Sequence, residues 1–439
     1  MKIFVEKLGC GKNNIDAELI ESKLAEENYK IVVEAEKADI IIVNTCGFIE
    51  SAKKEAIEYI FKYVDLKEKK PNIKLIVTGC FSQRYSQDLL NDIPEIDGIS
   101  GVYSYENILD IIKKVNLGKR YIEKITKKPI IKFIPNIKRN RENRFSAELK
   151  ISDGCNNYCS YCAIPYIRGE YKSKKIEDCI KEAEELASYG VSEIILVGQE
   201  TTKYGLDLYS KYRLCELIKK ISDIDGIKWI RLMYCNLWEI NDELLELMKG
   251  KNKLLPYIDV PIQNANDRIL KLMNRKGNYK EIIEKINYIK KYIPKITIRS
   301  TLITGFPGET KEEFEHNVKF LENARLDRVG VFKYSHEYGT KAFEMEDNIN
   351  NVEKERRFDI LMSIQQKICY EKNRDFVGKE LDVIVEGKDN GFFIGRSYRD
   401  APEIDGFVII SSDKKIQNGD FVKVNIKDFT EYDLIGELV

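Results

Sequence analysis

Histidine is almost absent from this chain. Among 439 residues there are two, His316 and His336, which excludes sites built on several imidazoles. Net charge is absent too, since 72 Lys and Arg balance 72 Asp and Glu. No whole-chain positive field is available to hold nucleic acid. No window approaches the ~18 apolar residues of a transmembrane helix. The apolar stretch in Met1–Gly9 is too short for a signal peptide, and Glu6 interrupts it. The expectation is a cytoplasmic protein with reduced thiols and no membrane partner. What the chain does have is ten cysteines and 43 % hydrophobic residues. It can bury real cores, and cysteine-based chemistry is the first to look for. At roughly 150 residues per domain its length suggests about three domains.

The first segment, residues 1–115, alternates short apolar runs with helical patterns. Lys2–Lys7, Asp39–Asn44 and Ile73–Thr78 read as strands. Ile15–Tyr29 and Ser51–Lys67 read as helices. This rhythm predicts a parallel sheet covered on both faces. Residues 116–144 read as a basic connector: from Lys113 to Arg144 there are twelve Lys and Arg against Glu123 and Glu142. The connector is a solvated linker or a contact surface for an anion.

The central segment, 145–373, repeats the βα rhythm. Expected strands are Ala147–Ser152, Glu193–Val197, Lys228–Tyr234, Tyr257–Val260, Lys295–Thr304 and Arg328–Tyr334, with a helix at Val352–Asp375. Six units suggest a partial (β/α)6 barrel, short of the eight that close a full one. Residues 374–439 change character. Leu381–Glu386, Phe392–Ser397, Gly406–Ile410, Phe421–Ile426 and Tyr432–Leu438 read as five short strands of a small, OB-like β-barrel.

The cysteines sort into three sets. Gly154-Cys155-Asn-Asn-Tyr-Cys159-Ser-Tyr161-Cys162 places three thiols in one loop after a predicted strand. A structural zinc site wants four closed ligands, and no fourth Cys or His is near. Three thiolates suit a 4Fe-4S cluster that keeps one iron open for a small molecule. Cys10, Cys46 and Cys80 each follow a predicted strand of the first segment. In a parallel sheet such positions share one edge, so a second open cluster is expected there. Cys179, Cys215, Cys235 and Cys369 have no consistent spacing and are assigned to packing. Two glycine-containing turns, Gly305–Glu309 and Gly11-Lys12, lack the full phosphate-loop pattern.

The Cys155/Cys159/Cys162 spacing resembles the radical S-adenosylmethionine (SAM) superfamily. With three N-terminal cysteines and a terminal barrel, the whole chain resembles the methylthiotransferase family. The strings Asn44–Lys53, Gln199–Gly205, Gly330–Thr340, Gly395–Gly406 and Tyr432–Leu434 are similar to its RimO branch. That resemblance implies methylthiolation of an aspartate β-carbon in ribosomal protein S-twelve, with two 4Fe-4S clusters and SAM as cofactors. Tyr161 would support the cluster loop. Gly198, Gln199 and Glu200 would meet SAM's amino group, while Arg299 and Gly305 would flank its adenosine. A flavodoxin-like or ferredoxin-like reductant is implied, and the chain is expected to be a monomer. From Arg374 to Val439 nine Lys and Arg face fourteen Asp and Glu. This acidic barrel, called TRAM in the family, suits a basic ribosomal protein better than RNA phosphates. The alternatives are the branch that modifies a tRNA adenosine and a non-enzymatic iron–sulfur carrier. Two departures from the branch, Asn264 in place of its usual His and Leu232–Trp238, are expected to face the site.

Overall fold

A computed structural model describes every residue except 124, 127, 128, 135–138, 140–144 and 251. The first sheet has six parallel strands: β1 (Lys2–Lys7), β2 (Lys30–Ile31), β3 (Ile40–Thr45), β4 (Lys74–Gly79), β5 (Gly98–Ile99) and β6 (Tyr121–Ile122). Their order is β2-β1-β3-β4-β5-β6. Alternate residues of a strand point to opposite faces. Ile40 and Ile42 therefore enter the core on one face, and Ile41 and Val43 the core on the other. Burial on both faces explains why β3 is a continuous apolar run. The strands β2, β5 and β6 are two residues each, too short to carry a period of their own. β6 lies inside the stretch expected as a connector; much of the rest of that stretch is outside the described residues.

The second sheet is also parallel, in the order β14-β13-β12-β11-β10-β7. It comprises β7 (Ser146–Lys150), β10 (Glu193–Val197), β11 (Trp229–Leu232), β12 (Leu254–Asp259), β13 (Thr297–Thr304) and β14 (Arg328–Lys333). Six strands leave the barrel open, as expected. The run read as one strand to Ser152 is broken at Ile151. Ser152–Asp153 (β8) pairs instead with Lys172–Ser173 (β9) in a separate ribbon that brackets the cysteine loop. The last five strands, β15 (Glu380–Asp389), β16 (Phe392–Ser397), β17 (Val408–Ser411), β18 (Phe421–Phe429) and β19 (Leu434–Leu438), close a barrel. Among the described residues no helix is long and apolar enough to cross a membrane.

Buried charge joins the three parts. Arg139 donates to Glu18 and to Glu182, at 2.8 Å each, tying the first helix to the central segment. Glu193 at the start of β10 accepts from Arg231 (3.0 Å) and from Arg396 of the terminal barrel (2.6 Å). Arg328 at the start of β14 pairs with Asp400 at 2.8 Å. An apolar cluster of Ile195, Trp229 and Tyr257 with Ile384 and Ala401 seals the same junction. The terminal barrel thus plugs the end of the open barrel where its strands begin.

Candidate active site at the strand ends

The three N-terminal cysteines lie at one edge of the first sheet. Cys10 caps the helix α1 (Gly11–Glu26), Cys46 follows β3 directly, and Cys80 opens the helix after β4. Two glycines let these loops touch. Gly9, at φ +94°, leaves no room for a Cβ, which would sit 2.5 Å from the Cβ of Cys46. Gly79, at φ +101°, brings its backbone against the Thr45 carbonyl. Asn13 binds all three loops. Its amide donates to the carbonyls of Leu8 (2.9 Å) and Thr45 (3.0 Å), and its Oδ1 lies 3.6 Å from the Cys80 thiol.

Arg168 enters this edge from the central segment. Its guanidinium donates to Asn13 Oδ1 at 2.7 Å and to Cys80 Sγ at 3.3 Å. It also pairs with Asp16, which Lys150 shares. Asp153, two residues before Cys155, completes this buried group. Burial alone would raise the Asp153 pKa, but Lys150 and Arg168 outweigh it and hold the carboxyl below its ordinary range. Neither Asn13 nor Arg168 was singled out from the sequence. Asn13 sits three residues after a cysteine, which is the only sequence signal it offers.

The second triad sits at the rim of the open barrel. Asn274 donates to the carbonyls of Asn157 (3.1 Å) and Tyr158 (3.0 Å), and Ser160 bonds the backbone of Met273 (3.0 Å). These bonds hold the cysteine loop from outside. Tyr161 packs against the cluster of Ile269, Met273, Phe306, Tyr334 and Ala342. The Arg275 guanidinium approaches Cys159 Sγ at 3.9 Å.

Among the described residues no group of three or more His, Cys, Asp or Glu could hold a single metal ion. An iron–sulfur cluster asks for something else, one thiolate at each of several separate irons. The donors fit that demand. Burial first, and then neighbouring cysteines of the same triad, push the thiols up, Cys155 to about 11 and Cys80 to about 12. Backbone N–H groups of Gly47 and Phe48 aim at the Cys46 sulfur, that of Asn157 at Cys155, and that of Ile164 at Cys162. A free thiol needs no such donors. A thiolate bound to iron uses them, and binding iron removes its proton.

Beside the second triad is a small open cleft lined by Asn157, Gln199, Glu200, Tyr234, Cys235, Asn236, Pro261 and Arg275. Glu200 is buried and already oriented: Asn157 and Asn236 donate to its two oxygens at 2.6 and 3.0 Å. Gln199 lines the cleft, and among the described residues its buried side-chain oxygen has no hydrogen-bond partner. Gly198 adjoins them, its Cα against Ser152 Oγ. Arg299 and Gly305 lie elsewhere. Arg299 is committed to Asp259 (3.0 Å) and Asp405 (3.5 Å). Gly305 is covered by Lys354, and its N–H donates to Glu309 at 2.9 Å. Asn264 is held in that same buried group, donating to Glu309 at 2.9 Å. Of the two sequence departures, Tyr234-Cys235-Asn236 borders the cleft and Asn264 does not.

Three family models match parts of the chain. Residues 149–321 match the radical SAM superfamily, 2–101 the uncharacterized protein family UPF0004, and 377–439 the TRAM domain. The chain is 46 % identical to the ribosomal protein uS12 methylthiotransferase RimO of Thermoanaerobacter sp., over 98 % of both chains. It is 46 % identical to that of Clostridioides difficile, over 100 % of this chain and 99 % of the other. The chain belongs to the RimO family. Among solved structures, the radical SAM methyltransferase TsrM of Kitasatospora setae, with cobalamin and a [4Fe-4S] cluster bound, superposes with a TM-score of 0.56 at 12 % identity. That match covers 90 % of this chain and 80 % of TsrM. The radical SAM enzyme OxsB superposes with a TM-score of 0.52 at 14 % identity, over 84 % and 56 % of the two chains. At these identities the likeness is one of fold.

Proposed function

We infer that this chain is a radical SAM methylthiotransferase that modifies an aspartate of ribosomal protein uS12 at its β-carbon. One observation carries the reading: two three-cysteine edges, from two different sheets, are joined by side chains that cross between the parts, Arg168 to Cys80 and Lys12 to the carbonyl of Gly198. An aspartate β-carbon has strong C–H bonds and no readily lost proton, so acid–base catalysis is poorly suited to it. When bound, two 4Fe-4S clusters and SAM supply the radical chemistry and the methylthio sulfur.

The chain's own residues divide the work. Cys155, Cys159 and Cys162 hold one cluster, and Tyr161 and Arg275 brace their loop. Gln199 and Glu200 offer acceptors to the ammonium of SAM, with Gly198 leaving space beside them. Cys10, Cys46 and Cys80 hold the other cluster, and Asn13 and Arg168 keep their loops together. Residues 1–115, 145–373 and 374–439 serve as the sulfur-bearing, SAM-cleaving and partner-binding parts.

The terminal barrel supports a basic protein partner. Asp400 and Asp405 are buried against the central segment, and so are Arg396 and Arg399. Two charges of each sign are withdrawn, so the acidic excess survives on the outer face. A reductant of the flavodoxin or ferredoxin class would serve the clusters.

Mass spectrometry of uS12 and of tRNA from cells lacking this gene tests the reading. Loss of one methylthio group from uS12 is expected. Loss from tRNA alone overturns it.

A further inference from the structure

Lys12 is the one lysine of α1's first turn, two residues after Cys10. It is 8 % exposed. Its ammonium crosses from the first sheet to the open barrel. There it donates to the carbonyl of Gly198 at 3.3 Å and lies 3.5 Å from the centre of the Tyr234 ring. Its neighbours Lys150 and Arg168 are matched by Asp16 and Asp153. Lys12 has no such match: among the described residues it forms no salt bridge, although a buried charge is costly unless paired. An ammonium has three donors. One is used by Gly198, and the Tyr234 face takes part of the charge.

The place of this surplus cation is informative. Tyr234 and Gln199 line the cleft beside the second triad, and Cys10 belongs to the first. Lys12 therefore stands between the two cysteine sets. The aspartate β-carbon is bonded directly to the side-chain carboxyl carbon. A carboxylate seated on Lys12 would leave the β-carbon within reach of both sets.

We propose that Lys12 is the receptor for the side-chain carboxylate of the substrate aspartate and selects that residue. The proposal rests on the uS12 reading above and adds the residue that recognises its target. The rival role is to balance the charge of the Cys10 cluster.

The test uses the holoenzyme with both clusters loaded. Its affinity for uS12 carrying Asp, or Asn, at the modified position is measured for the wild type, Lys12→Met and Lys12→Arg. The wild type should prefer Asp by about tenfold to a hundredfold, the range of a buried hydrogen bond to a charged group. Lys12→Met should bind both forms alike, and Lys12→Arg should recover part of the preference. An unchanged preference in Lys12→Met, or none in the wild type, overturns the proposal. So does loss of the N-terminal cluster's iron and electron paramagnetic resonance signal in Lys12→Met, which would assign the lysine to the cluster. Failure of the wild type to modify uS12 at all strikes the functional reading instead, and is seen without any variant.

Discussion

Cys155, Cys159 and Cys162 lie within one eight-residue loop, whereas Cys10, Cys46 and Cys80 come from three loops about 35 residues apart. The first set is shaped by local turns, with backbone donors from Asn157 and Ile164 in the same segment. The second is shaped by a sheet. Parallel strands deliver three chain ends to one edge, and Asn13 and Arg168 tie those ends together. A local site depends on its loop, and a dispersed one on tertiary structure. The two triads should therefore fail in different ways.

The largest effects should come from the six cysteines proposed as cluster ligands. Alanine at Cys155, Cys159 or Cys162 should abolish 5′-deoxyadenosine formation, measured by chromatography. Alanine at Cys10, Cys46 or Cys80 should abolish sulfur insertion while 5′-deoxyadenosine still forms. Each triad should account for about four irons of about eight. An intact chain with four in all would break the two-cluster reading.

Arg168→Gln should strike the dispersed triad alone. It leaves Asp16 and Asp153 sharing only Lys150, at a cost of about 3–5 kcal/mol in denaturant unfolding. The N-terminal cluster's spectroscopic signal should go, while that of the loop triad stays. Asn13→Ala should do the same more mildly. It unpairs the Leu8 and Thr45 carbonyls, for about 1–3 kcal/mol, and equal iron loss from both triads would remove the contrast.

A control far from both triads is Glu193. Burial would raise its pKa, but Arg396 and Arg231 outweigh that and lower it to about 2. Its contribution to stability is complete above its ordinary value of 4.5 and is lost as the pH falls from there through about 2. Urea midpoints should be level from about pH 7 to 5 and drop towards pH 3, with a shallower drop in Glu193→Gln.

The same contrast governs what could be read in the residues alone. The Cys155 loop was legible because its three cysteines are neighbours in sequence. Cys10, Cys46 and Cys80 were legible only through the strands they follow. The six strands of the open barrel and the five of the terminal one carried their own apolar pattern. The two-residue strands Lys30–Ile31, Gly98–Ile99 and Tyr121–Ile122 were too short to do so. Asn13, Arg168 and Lys12 were passed over because their partners are distant in sequence: Arg168 reaches Cys80 and Asp16, and Lys12 reaches Gly198 and Tyr234. Arg299 and Gly305 were read from strand position, yet Asp259, Asp405 and Glu309 engage them. Position along a strand says which end a residue is near, not which neighbour has claimed it.

The plug formed by the terminal barrel has one more consequence. It occupies the end where the strands begin, at Glu193 and Arg328, while the cysteine loop and its cleft occupy the end where they finish. A strand of five or six residues, at about 3.3 Å each, separates the two by roughly 15–20 Å. If the acidic barrel grips the partner, as proposed, the partner would have to offer its target at a set distance from the grip. On the proposed reading the enzyme would then work as a ruler, with reach as well as the local sequence around the aspartate deciding which residue is modified.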